Sequence, residues 1–304
     1  MEAEEDIALF VSTYPPRECG IATFTRDLAD AIEKRFFPYL STKILAMNSN
    51  GVNVYNYPKK VIYQLSDSDK KSYSIMAKKI NENNAIKFVS IQHEFGIFGG
   101  DMGEYLIGFL RTLNKPKIIT FHSILPNPSP KRKEIVKAIA ENVDEIIVMT
   151  KTGVDILGTD YGINENIKLI PHGIPNVQFE KQLSIKKNLG YEGRTILSSF
   201  GMISSGKGYE YVIDALPEIV KTYPNLLYLI VGATHPNIRK EEGESYRNFL
   251  AKRVKELGLE NNVKFYNKYV TLKEIIYFLK ASDIYISSSL TPEQITSGTL
   301  AYAM

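Results

Sequence analysis

The run Leu226-Leu227-Tyr228-Leu229-Ile230-Val231 decides the fold. Six apolar residues in a row, with no polar residue alternating, suit a strand covered on both faces, as in a parallel sheet. Turn residues follow at once in Gly232-Ala233-Thr234-His235-Pro236. Outward from this run the pattern repeats, as in Ile118-Ile119-Thr120-Phe121. Strands are expected at residues 7–12, 42–46, 88–92, 117–121, 145–149 and 168–171, and then at 195–200, 226–231, 263–266 and 284–288. Amphipathic segments lie between them. Phe24, Leu28, Ile32 and Phe36 recur every four residues with Asp27, Asp30 and Lys34 between them, and Val212, Leu216, Ile219 and Val220 form a second such face. Strands alternating with helices imply βαβ units and a doubly wound α/β fold.

The 304 residues suffice for about two domains. A stretch without period at 175–193 marks the break and gives domains 1–178 and 179–304. The last residues, 297–304, read as the first turns of a helix. The second half supplies four strand–helix units, which would leave a sheet edge unpaired. Lys+Arg is 37 against Asp+Glu 34, a net charge of +3, which argues against a nucleic-acid partner. The single Cys19 excludes an internal disulfide framework and a multi-cysteine zinc site. The four histidines are dispersed, so no metal site is expected. No apolar run approaches the roughly 20 residues of a membrane span, and the start is acidic rather than basic. A cytoplasmic location is expected.

Four loops at strand ends are candidates to carry the chemistry, with the alternatives of a solvated lysine in a turn at Lys207, a turn with a His93–Glu94 hydrogen bond, and a hydrogen-bonded core histidine at His122. Ser12 to Phe24 holds Gly20 ahead of the first helix, where close backbone approach and a helix N-terminus can receive an anion. The alternative is an ordinary turn with Thr23 as the helix N-cap. Gly201-Met202-Ile203-Ser204-Ser205-Gly206-Lys207-Gly208 nearly fits a phosphate-binding loop, but Gly208 replaces the Ser or Thr that would hold magnesium. The glycines and Lys207 still suit a diphosphate, and an NTPase stays open as a weaker reading. Gln92-His93-Glu94, followed by Gly96, Gly99 and Gly100, suits a polar small-molecule pocket. His122 ends another strand. His172 reads as structural, and His235 as a candidate for lining the second domain's pocket.

Taken together, these residues resemble a GT-B glycosyltransferase of family 4, the large retaining class. The resemblance runs through the Gly20 loop and its helix, residues 200–208 with Lys207, Gly232–Pro236, Glu256-Leu257-Gly258-Leu259, Ala281–Ser289 and Glu293–Met304. It implies two Rossmann-like lobes, the second incomplete at its C-terminal end. It implies a nucleotide-sugar co-substrate, UDP- or GDP-linked, held mostly by the second lobe, and no further cofactor or metal. It also implies a carbohydrate or glycolipid acceptor on the first lobe. Lys207, Gly20 and Gly201 would then meet the donor phosphates, with His235 and the N–H groups at Ser297, Gly298 and Thr299 beside them. His122 would lie near the transferred sugar, with Glu293 and Gln294 as further catalytic candidates. Gln92, His93 and Glu94 would face the acceptor.

The chain departs from that family at several places. Met202 stands where an arginine is usual, which makes Arg239 a substitute cation. Gln294 and Tyr302 stand at the usual glutamate pair. A two-lobe enzyme of this kind needs about 350–400 residues, so a truncated chain, or one part of a split enzyme whose partner chain supplies the rest, is expected. The leading alternative is an inactive GT-B fragment that binds nucleotide or a partner subunit. Peripheral membrane contact would follow from a lipid-linked acceptor, although no strongly basic amphipathic helix stands out.

Overall fold

Every one of the expected apolar runs lies in or beside a parallel strand. The computed structural model describes residues 5–49, 51, 54–178, 180–234, 236–290 and 295–304. These form two units, one of residues up to 173 with 295–296, the other of 174–290 with 297–304.

The first unit runs β1 (Asp6–Ser12), α1 (Gly20–Phe36), β2 (Leu40–Asn48), β3 (Val61–Ser66), α2 (Lys70–Glu82), β4 (Ile86–His93), α3 (Tyr105–Thr112), β5 (Lys117–Phe121), α4 (Pro130–Ala140), β6 (Glu145–Val148), α5 (Lys151–Ile156) and β7 (Ile167–Leu169). All its strands pair in parallel, in the order β3-β2-β1-β4-β5-β6-β7. One face packs Ala8, Phe10, Ile44 and Ala46 against Ala29 of α1. The opposite face packs Leu9, Val11, Leu45 and Ile91 against Tyr73 and Ala77 of α2, Phe109 of α3 and Ile135 of α4.

The second unit runs α6 (Gln182–Asn188), β8 (Thr195–Phe200), α7 (Tyr209–Thr222), β9 (Leu226–Val231), α8 (Pro236–Glu242), α9 (Ser245–Glu256), β10 (Val263–Tyr266), α10 (Leu272–Ala281), β11 (Ile284–Tyr285) and α11 (Gly298–Ala303). Its parallel strands take the order β10-β9-β8-β11. In β9 all six residues are buried. Leu226, Tyr228 and Ile230 join Ile213 and Leu216 of α7 and Leu250 of α9. Leu227, Leu229 and Val231 join Ile185 of α6 and Phe278 of α10. The uninterrupted apolar run is the signature of helices on both sides.

Four expectations change. β3 went unread because it is an edge strand with half-exposed residues. The stretch taken as an aperiodic break contains α6, whose Ile185 is buried and whose Lys186 reaches Asp283 Oδ2 at 2.5 Å. The strand expected to reach Ser288 ends at Tyr285: Ile286 N–H still donates to Ser198 O, but the Ile286 carbonyl turns to accept from Ser199 Oγ. The helical face of α1 is not buried to its end, because Phe36 is 49% exposed.

Candidate active site

In open α/β sheets ligands bind beyond the carboxyl ends of the strands, where the strand order reverses. The first sheet reverses between β1 and β4 and the second between β8 and β11. Three of the four candidate loops leave β1, β4 and β8, and the His122 loop leaves β5 beside β4.

In the second unit, β8 ends at Phe200 and the backbone turns at Gly201, whose N–H donates to Val231 O at 3.1 Å. A Cβ on Gly232 would stand 2.0 Å from Gly201 O, so no other residue fits there. The chain then makes a short 3-10 turn, Ser205–Lys207, and enters α7 through Gly208 at φ +62. A Cβ on Gly208 would also meet Ser288 O at 2.5 Å. The position where a phosphate-loop NTPase carries its magnesium-binding hydroxyl therefore admits no side chain. The loop after β11 ties this turn down. Ser288 Oγ donates to Lys207 O at 2.8 Å and Leu290 N–H donates to Gly206 O at 2.9 Å.

The backbone of Lys207 is thus fixed, and its side chain lies over Gly201. Lys207 Nζ would be 3.9 Å, and Tyr209 Oη 3.8 Å, from a Cβ built on Gly201. Burial holds the ammonium below the usual lysine pKa, and no carboxylate among the described residues offsets it. Its neighbour Tyr209 is 2% exposed, with a hydroxyl that has no partner among the described residues. A desolvated, unpaired cation at a switch point is a ready receptor for an anion. Arg239 is itself engaged: its Nε binds Glu244 Oε1 at 3.2 Å, and Glu244 also holds Arg247 Nε at 3.0 Å and the Thr234 hydroxyl.

In the first unit, Cys19 caps α1, its Sγ accepting from Ala22 N–H at 3.3 Å and lying 3.1 Å from Thr13 Oγ1. Gly20 is the first helical residue, and a Cβ there would meet nothing within 4 Å. The Thr23 alternative is thereby corrected, since a thiol takes the capping role one turn earlier. His122 follows β5 and donates its backbone N–H to His93 O at 3.0 Å. Its Nε2 lies 3.0 Å from Gln92 Oε1, and Gln92 Nε2 donates to Ser90 Oγ at 3.1 Å. Phe24 of α1 stands edge-on to His122 at 4.7 Å and to His172 at 5.1 Å. Burial, and then the neighbouring His172, push the His122 pKa down to about 3, so its ring is neutral at ordinary pH.

The expected acceptor-side trio is separated by the pleat of β4. Gln92 turns to the α1 face, toward His122. His93 turns to the other face, where Phe95, Phe98 and Phe121 enclose its ring at 5.0 to 5.8 Å. Both residues are 0% exposed, so neither presents a surface to solvent. Glu94 is partly exposed; its Oε2 accepts from Gly96 N–H at 2.8 Å and its Oε1 from Ser123 Oγ at 3.5 Å. In the second unit, Ser297 caps α11 through Leu300 N–H, Gly298 opens that helix, and Thr299 Oγ1 accepts from Tyr285 Oη at 3.0 Å. His235, Glu293 and Gln294 lie outside the described residues. Phe24 and Ser90 were missed, since one reads as a core residue of an amphipathic face and the other as an ordinary strand serine. No group of three or more potential metal ligands occurs among the described residues. No described helix is long and apolar enough to cross a membrane.

Residues 180–296 match the family model "Glycosyl transferases group 1". Mannosylfructose-phosphate synthase of Agrobacterium fabrum is 30% identical over 158 residues, 50% of this chain and 34% of that protein. Alpha-monoglucosyldiacylglycerol synthase of Streptococcus pneumoniae is 26% identical over 313 residues, 95% of this chain and 67% of that protein. The chain therefore aligns with about one third of the former's length and two thirds of the latter's. Among solved structures, Anabaena HepE in complex with UDP and glucose superposes with a TM-score of 0.63 at 17% identity, covering 94% of this chain and 75% of that one. Two parallel sheets with candidate loops at their switch points, and these likenesses, give the chain a fold of the GT-B class whose residues 180–296 are similar to the Glycosyl transferases group 1 family.

Proposed function

We propose that the protein transfers a hexose from a UDP- or GDP-sugar to a saccharide or lipid-linked acceptor, with retention and without a metal cofactor. The half-buried, unpaired Lys207 ammonium at the switch point of the second sheet carries this reading. As the bond from sugar to diphosphate breaks, negative charge grows on the leaving group. A fixed cation beside it lowers the barrier because its arrangement is in place before the reaction. Lys207 fills the role that a divalent ion has in other phosphate chemistry. The leaving phosphate then helps deprotonate the acceptor hydroxyl. The family resemblance assigns Gly20 and Gly201 to the diphosphate, His122 to the transferred sugar and Glu94 to the acceptor. Glu293, Gln294, His235 and the Ser297–Thr299 segment complete the assignment. The UDP and glucose bound to HepE support a nucleotide-sugar donor.

Titration calorimetry with UDP and GDP tests this reading. Lys207→Ala should weaken diphosphate binding by about 1.5–3 kcal/mol, the worth of a hydrogen bond to a charged group. Equal affinities for mutant and parent would remove Lys207 from the site. A second reading, a nucleotide-binding chain without turnover, is favoured by Met202 and Tyr302 at positions where the resembled family carries an arginine and a glutamate. Diphosphate binding that depends on Lys207, with no sugar released from any donor, would select it.

A further inference from the structure

Gln92 is 0% exposed, so it touches no substrate, yet its amide is aimed at the histidine assigned to the transferred sugar. We propose that Gln92 is a positioning residue: it holds His122 as the Nε2–H tautomer and so turns the Nδ1 lone pair toward a sugar hydroxyl as a hydrogen-bond acceptor. This rests on the reading of His122 given above.

The hydrogen-bond chain sets the proton's position. Gln92 Nε2 donates to Ser90 Oγ at 3.1 Å, which leaves Gln92 Oε1 facing the ring at 3.0 Å. A carbonyl oxygen only accepts, so in the proposed arrangement His122 Nε2 carries the hydrogen. The ring is neutral because its charged form is desolvated, so Nδ1 is then unprotonated. No partner for Nδ1 occurs among the described residues, and that atom is not among the sealed, unpaired ones, unlike both nitrogens of His93. The ring plane is held separately, by the edge-on contact of Phe24 at 87° and by the backbone bond from His122 N–H to His93 O. The consecutive positions Gln92 and His93 therefore divide the work. The side chain of the first sets the tautomer, and the main chain of the second sets the ring's place. An Nδ1–H tautomer would offer the sugar a donor in place of an acceptor and would leave the Gln92 carbonyl without its bond.

Long-range proton–nitrogen NMR of protein labelled with 15N-histidine reads the tautomer directly. The chain has four histidines, and a His122→Gln spectrum identifies the signal. The expected wild-type pattern is protonated Nε2 and bare Nδ1 from pH 5 to 8. Gln92→Leu should lose that pattern, and Gln92→Glu, which keeps an accepting oxygen, should restore it. An Nδ1–H pattern in the wild type, or an unchanged pattern in Gln92→Leu, overturns the proposal. Should Gln92→Leu fail to fold, the wild-type spectrum alone still decides. Adding UDP-glucose or GDP-mannose should move the Nδ1 signal. An intact tautomer with no response to either donor would count against the glycosyl-transfer reading and leave the positioning role standing. With a responding donor, Gln92→Leu should lower kcat about tenfold, about 1.4 kcal/mol of barrier, while UDP affinity stays within twofold.

Discussion

His93 shows what one residue of register does. Its ring is sealed among Phe95, Phe98 and Phe121, and neither nitrogen finds a partner. Burial pushes its pKa down to about 3 from an ordinary 6.5. The unfolded chain therefore binds more protons than the native one between pH 6.5 and 3. Stability is full above pH 6.5 and is lost as the pH falls through that window. His93→Phe should remove this part of the acid sensitivity, so that the drop in urea midpoint from pH 7 to pH 5 shrinks. At pH 7 it should also stabilise by about 1 kcal/mol, because two orphan buried polar atoms disappear. The sequence places Gln92, His93 and Glu94 together at a strand end, and they are there. It could not show that the pleat sends two of them to opposite faces and seals both, because that depends on which helices cover each face. The place of Lys207 in the chain was legible for the opposite reason: the glycines on either side of it mark a strand-to-helix turn whatever covers the sheet.

At the scale of elements, one carboxylate ties α6 to its neighbours. Asp283, just before β11, accepts from Ile196 N–H at 2.6 Å, from Lys186 Nζ at 2.5 Å and from Gln182 Nε2 at 3.2 Å. It thereby joins α6, β8 and the end of α10. Asp283→Ala would leave the Lys186 ammonium, 10% exposed as a side chain, without its countercharge. The expected cost is about 3 kcal/mol, the lower end for breaking a buried ion pair, read as a lower urea midpoint with the fold retained. The helix itself escaped notice because it is seven residues long and only Ile185 and Lys186 are buried. β3 escaped for a related reason, since its exposed and buried residues follow no simple alternation. Elements buried on both sides, such as β9, announce themselves in any window of the chain. Short and peripheral ones take their conformation from partners distant in sequence.

For the molecule as a whole, the two-unit α/β architecture was legible because strands and helices alternate from end to end. The near balance of Lys+Arg and Asp+Glu leaves a net charge of only +3, so under the proposed function recognition rests on local charge such as Lys207. A ligand that binds only the native state stabilises it by mass action. UDP at 100 times its Kd should therefore add about 2.7 kcal/mol of stability. Under the proposed metal-free chemistry, this gain should be the same in EDTA as in magnesium when followed by thermal scanning. A gain that vanishes in EDTA would mean that Lys207 does not suffice for the diphosphate.

The contact between Gly201 O and the site of a Gly232 Cβ links two loops that are thirty-one positions apart in the chain. Neither can be exchanged alone. An engineer who transplants residues 201–208 from another transferase to change donor preference must bring the matching backbone path at 232–234 as well. Drift at these sites faces the same demand, because a β-carbon at 232 is refused whatever the rest of the loop becomes. The two segments are inherited as one part, written in two places.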